Sequence, residues 1–414
     1  MNYRALVIMT LLSSLLVTNI YAKESPIITA PTIWKHHRLG RVHPRMAVTS
    51  RFVILNRDNI TVECIDLHTG DEKWRFNSPA KLRWPSLHDG DRSYGILCGW
   101  NYVYVTTMDG ALRAIYLETG KEKWLYKPKA PITTPPIATD NTLFVQSAEG
   151  RIHAVEGRTG KKLWTARTKN RPITPLLASG NLLLFGTSPA FIYAVDGSTG
   201  TKRWKRRLKT GTPRYAPVVA PGRFAWPTSS GYLNVIERSN GKTVAAVKMN
   251  APPLPGAILV GTRILLSTTT GYLLSVDLME GKERWRRRVH KKRRRKLFTR
   301  TAQLYNFRAA EELTAVVSLD DHLLLLLDTN SGKVHWERRY QGDMSLPPLL
   351  WGNKVFIGTA KRSLICLNKK GEVIWQTRAR SPIVTAPIVD SDGVIYFVTA
   401  NGFLQAVRVE PFLE

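Results

Sequence analysis

A Gly-x-x-x-Trp pair returns seven times along this chain, roughly every forty residues, and each copy follows short apolar runs separated by turn residues. These observations predict an all-β chain, a β-propeller of four-stranded blades. No unit carries an apolar period of about 3.6 residues long enough for two helices, which sets aside a helical-pair solenoid of the same period.

The pairs are Gly70–Trp74, Gly120–Trp124, Gly160–Trp164, Gly200–Trp204, Gly281–Trp285, Gly332–Trp336 and Gly371–Trp375. Gly241 heads a degenerate copy with Ala245 in the tryptophan's place. One unit shows the grammar of all. Thr134, Pro135 and Pro136 open a first strand, and Leu143–Val145 supply a second. A turn at Gly150 leads to a third with Ile152, Ala154 and Val155. The turn Arg158-Thr159-Gly160 then leads to Leu163 and Trp164. Four short strands with glycine-bearing turns make one blade.

A lone four-stranded blade cannot bury both faces, so blades pack around an axis. The tryptophans are expected to dock as flat rings across the neighbouring blade, each contributing about 2–3 kcal/mol. The glycine four residues earlier supplies a turn of positive φ. The final stretch, 381–408, has three strands and no tryptophan strand, whereas Trp34 has no strands before it. Thr32–Lys35 is therefore expected to complete the last blade and close the ring. Trp34 joins the docking set on that reading. Strict counting gives nine units. Rings of about four to eight blades are usual, so eight is the prior and nine the literal count. The weakest units are 40–78, with no clear first strand, and 297–336.

Charge is the unusual quantity: 61 Lys and Arg oppose 31 Asp and Glu, a net charge of +30. Such an excess costs self-repulsion and favours an anionic partner. The residues after each tryptophan are largely basic. They culminate in Arg286, Arg287, Arg288, Lys291, Lys292, Arg293, Arg294, Arg295 and Lys296, expected to form a projecting loop at 286–296. Arg206 and Arg207 follow Trp204 in the same way. Because strands alternate direction, these positions share one face of the disc with the turn between second and third strands. They are the candidate anion- or partner-binding residues. Aromatic residues are sparse around the run, so nucleic acid is not the expected partner.

Residues 1–22 read as a signal peptide, with Arg4, an apolar run from Ala5 and a small residue at Ala22. Residues 23–414 then form one exported propeller domain, expected to be periplasmic or extracellular, soluble and monomeric. Cys64, Cys98 and Cys366 make no disulfide framework and no metal motif, and none follows the apolar run as a lipid-attachment site would.

The repeats resemble the quinoprotein-type, or PQQ-like, propeller family. The clearest copy runs from Ala194-Val195-Asp196 through Thr199-Gly200 to Trp204, with a looser one from Val276-Asp277 to Trp285. The resemblance implies two branches: PQQ-dependent dehydrogenases, and BamB-like scaffolds of outer-membrane assembly. Size, single-domain organisation and end-to-start closure are similar to the second. Adjacent cysteines and a haem-attachment motif, marks of many enzymes in the first, are absent from the sequence. Asp109, Asp140, Asp320 and Asp321 are the acids that could be nominated for catalysis, and they read better as turn formers. His36, His37 and His43 lie close together but read as exposed residues rather than metal ligands. The expectation is a non-catalytic periplasmic scaffold without cofactor or metal. Its expected partners are envelope proteins, including the outer-membrane β-barrel assembly machinery. Binding of an anionic polymer or membrane surface is the alternative, and PQQ-dependent dehydrogenation a third reading.

Overall fold

In a computed structural model of the chain, the described residues are 32–36, 42–57, 61–81, 96–168, 170, 172–254, 257–288, 303–305, 313–318, 323–339, 348–351, 354–390 and 392–408. Among them every named element is a β-strand. The strands form nine four-stranded antiparallel sheets, numbered 1 to 9 in chain order. Sheets 1 to 8 span 42–77, 96–126, 137–167, 177–207, 218–248, 258–288, 303–339 and 349–378. Sheet 9 spans 388–408 and takes Thr32–His36 as its fourth strand, with Lys35 opposite Gln405.

Alternation along the second and third strands sends every side chain to one of two inter-sheet spaces. In sheet 7, Leu324 packs with Val355 and Ile357 of sheet 8, whereas Leu323, Leu325 and Leu327 pack with Leu265 and Leu273 of sheet 6. That explains a run of five leucines in one strand: both faces are core. Nine apolar clusters fill the spaces between consecutive sheets. The last joins Tyr396 and Val398 of sheet 9 to Val53 and Leu55 of sheet 1. First strands of neighbouring sheets approach one another, so they lie toward the axis. Fourth strands carry the exposed patterns and lie outside.

The tryptophans join the outer strands to the next sheet. Trp204 is 5% exposed, and its Nε1 donates to the Arg238 carbonyl of sheet 5 at 3.1 Å. Its ring covers Gly241, where an added Cβ would lie 2.5 Å from Trp204 Cε3. Gly241 has φ +73°, so both backbone and ring exclude a side chain there. The same donation runs from Trp74 to Leu117, Trp124 to Gly157, Trp164 to Gly197, Trp285 to Thr329 and Trp336 to Lys369. The glycine and tryptophan of one repeat thus serve two different interfaces: Gly120, Gly160, Gly200, Gly241, Gly332 and Gly371 each seat the preceding sheet's ring. Trp375 is fully buried against Phe356. The side chain of Trp34 lies outside the described residues; its backbone pairs with Ala406. Where Ala245 replaces the ring, its methyl sits over Gly281 and the fourth strands of sheets 5 and 6 approach each other.

Two features differ from the sequence reading. Sheet 1 has a first strand after all, Val42–Val48, with an irregular register between Val42 and Met46. Pro44 lies inside that irregularity, where a missing N–H does no harm. Each fourth strand of sheets 1 to 8 also carries a bulge just before the tryptophan place; in sheet 4, Trp204 opposes Ala194 but Lys202 opposes Val195. A bulge bends the strand and re-aims the following ring. The residue opposite the ring is small in sheets 1 to 4: Cys64, Ala114, Ala154 and Ala194.

Candidate functional site

The two faces of the disc differ in how their charges are arranged. On one, third strands run into fourth strands, and in six sheets the third strand ends in an acid: Asp66, Glu156, Asp196, Glu237, Asp277 or Asp328. The aspartates brace the turns. Asp196 accepts from the backbone N–H groups of Ser198 and Thr199 at 3.0 and 2.9 Å. It also takes the Arg203 guanidinium at 2.6 Å. Above all that guanidinium, then the turn donors, hold its carboxyl down to about 2. Burial works to raise the carboxyls of Asp66, Asp277 and Asp328, but the turn donors hold each below its usual range.

The opposite face, where second strands turn into third strands and fourth strands exit, is basic. Three residues after the tryptophan place stand Lys127, Arg167, Arg207, Lys248, Arg288, Arg339 and Arg378 on sheets 2 to 8. From sheet 3 onward each opposes the first residue of its own third strand, as Arg207 opposes Phe191 and Arg378 opposes Ser363. One register position therefore delivers one cation per sheet at one level. Two acids described on this face are neutralised locally. Asp109 holds Arg113 at 3.1 Å and Lys127 at 3.7 Å, and Glu149 holds Arg151 at 2.9 Å.

The basic segment divides differently from the expected loop at 286–296. Arg286, Arg287 and Arg288 continue the fourth strand of sheet 6, Lys282–Arg288, because Tyr272, Leu273 and Leu274 extend the third strand far enough to pair them. Arg286 is committed inward: it binds Glu283 at 2.6 Å and the Lys248 carbonyl at 2.8 Å. Arg287 donates to the Gly332 carbonyl of sheet 7 at 3.2 Å. Arg288 is exposed, its guanidinium 5.9 Å from the centre of the Tyr272 ring. Arg206 and Arg207 are exposed; Arg206 also donates to the Lys205 carbonyl at 3.0 Å. Lys291, Lys292, Arg293, Arg294, Arg295 and Lys296 lie outside the described residues. Among the basic residues that the sequence shows after the tryptophans, the structure places Arg167, Arg339 and Arg378 at this level, and it adds Lys248, which follows the degenerate repeat. Position three after the tryptophan was the signal that would have found them all.

Groups suited to catalysis are sparse among the described residues. Cys64, Cys98 and Cys366 have thiols pushed up to about 12 by burial, so none is a ready thiolate. Among the described residues no three His, Cys, Asp or Glu side chains group to hold a metal. Asp109 is engaged as above, Asp140 occupies a turn at φ 47°, and Asp320 and Asp321 lie outside the described residues. His37 also lies outside them, and of His36 and His43 only the strand positions are described.

Antiparallel four-stranded sheets packed in sequence, with tryptophan-docked repeats, define a propeller of the quinoprotein-like class. The chain belongs to the family described as outer membrane protein assembly factor BamB, whose model matches residues 58–218, 171–345 and 321–410. Over 116 residues it is 29% identical to the outer membrane protein assembly factor BamB of Yersinia pestis. That stretch covers 25% of this chain and 29% of the relative. The crystal structure of BamB from Moraxella catarrhalis superposes with a TM-score of 0.52 at 15% identity, covering 92% of this chain and 100% of that one. The quinohemoprotein alcohol dehydrogenase ADHIIG of Pseudomonas putida gives 0.55 at 17% identity, covering 92% of this chain and 76% of that one. At such identities the structural likenesses speak for the fold alone, which scaffolds and enzymes share.

Proposed function

We propose that the protein is a non-catalytic scaffold of the cell envelope, acting in outer-membrane protein assembly through protein–protein contacts. The observation that carries this reading is the family match, which runs from residue 58 to residue 410 and so takes in nearly every repeat. The described polar groups fit it. The aspartates brace turns, burial pushes the cysteine thiols up, and the surface is offered as turns and strand edges, which suit binding rather than bond-making.

The test is crosslinking in living cells, followed by capture of the protein and identification of its neighbours at physiological salt. Recovery of outer-membrane barrel-assembly subunits is the expected result. Their absence from the captured set would overturn the reading. Dye reduction by purified protein that depends on added pyrroloquinoline quinone and Ca²⁺ would overturn its non-catalytic part.

A further inference from the structure

We infer that the basic face is a second, independent docking surface, and that it seats the disc flat on a membrane bearing phosphate headgroups. The six carriers are Arg167, Arg207, Lys248, Arg288, Arg339 and Arg378, one on each of sheets 3 to 8. All six are exposed, and none makes an ion pair among the described residues. The seventh, Lys127, differs in having Asp109 within 3.7 Å.

The arrangement selects the occupant. Equal register puts the six at one level of successive sheets, and successive sheets step around an axis, so the charges lie on an arc in one plane. A linear acidic peptide or polymer crossing such an arc meets one or two of them at a time. A flat anionic surface meets all six. Five of the six are arginine, whose planar fork donates to phosphate oxygens in pairs where lysine offers a point charge. The opposite face is less suited. There acids end six of the third strands and several cations are spent on them, as Lys73 on Asp66, Arg203 on Asp196 and Arg284 on Asp277, so fewer charges are left to meet a phosphate surface. Attraction of this kind fades with ionic strength, since screening shortens its reach to about 8 Å at physiological salt.

The experiment is flotation of the purified full-length protein with vesicles rich in phosphatidylglycerol, and with vesicles of phosphatidylcholine alone. It compares wild type, a rim variant (Arg207→Glu, Arg288→Glu, Arg339→Glu) and a control variant with the same charge change on the opposite face (Lys121→Glu, Lys161→Glu, Lys242→Glu). Wild type is expected to float with the anionic vesicles only, more weakly as salt rises. The rim variant should lose affinity more than a hundredfold, because neutralising three basic residues near an anionic surface already removes roughly a hundredfold and the glutamates are repelled besides. The control variant should stay close to wild type. A neutral rim variant (Arg207→Gln, Arg288→Gln, Arg339→Gln), its fold checked by circular dichroism, should lose an intermediate amount. Equal losses in rim and control variants would overturn the proposal, because net charge alone would then suffice. So would wild type that ignores anionic vesicles while binding soluble polyglutamate, since the occupant would then be a linear polyanion.

Discussion

Removing one docking ring measures what holds neighbouring sheets together. In Trp204→Ala the indole leaves its seat over Gly241, and the Arg238 carbonyl loses its donor. Truncating a buried aromatic of this size costs about 3–5 kcal/mol. The site opens at the outer edge of the disc, where water can enter the gap and reach the carbonyl. That places the cost at the lower end, about 3 kcal/mol. A chain this long has an unfolding entropy near 0.8 kcal/mol/K, so the melting temperature should fall by about 4 °C. Thermal unfolding followed by far-ultraviolet circular dichroism reads this directly. The control is Val244→Ala, a side chain 44% exposed on the fourth strand of sheet 5, expected to move the midpoint by less than about 1 °C. A Trp204→Ala protein that melts with wild type, or a Val244→Ala protein that falls as far, would refute the docking argument.

Gly241→Ala should destabilise by about 3 kcal/mol, adding a clash with the Trp204 ring to the left-handed backbone cost. Gly222→Ala, at φ +71° with open space around it, should cost only about 1 kcal/mol; equal losses in urea denaturation would show that the ring is not the reason. Ala245→Trp restores the repeat's consensus but brings an indole where two fourth strands already approach, so it should destabilise by about 1–3 kcal/mol, and a higher midpoint would refute that packing. Asp196 has a folded-state pKa below its unfolded value, so its contribution is complete above about pH 4 and disappears as pH falls toward its folded value of about 2. Asp196→Asn should therefore be about 1–2 kcal/mol less stable than wild type at neutral pH, the exposed Arg203 limiting the effect, and the gap should close in acid. A gap that persists unchanged at low pH would exclude the carboxylate as its source.

The repeat was legible because its parts are rare residues doing what other side chains cannot: an indole wide enough to reach the next sheet, and a glycine small enough to lie beneath it. The pairing of Thr32–His36 with the last sheet was legible too, since a unit lacking its last strand and an orphan strand at the other end imply each other. The first strand of sheet 1 was hidden because Pro44 interrupts its apolar pattern, and only pairing with Phe52–Arg57 makes it a strand. Bulges were invisible because a one-residue register shift leaves no mark on a four-residue motif. For the candidate site, sequence reading saw that basic residues cluster after the tryptophans but could not rank them. Arg286 looks like its neighbours in the run, yet its guanidinium is bound to Glu283 and the Lys248 carbonyl. Arg167 and Arg378 look ordinary until register places them at one level with Arg207.

The central claim is that this propeller serves outer-membrane assembly by binding. The most direct measurement is the amount of folded, heat-modifiable β-barrel protein in the outer membrane of cells lacking the gene, with and without a restored copy. The account predicts a fall in folded barrels that the restored copy reverses. Unchanged barrel content in the deletion strain would contradict it.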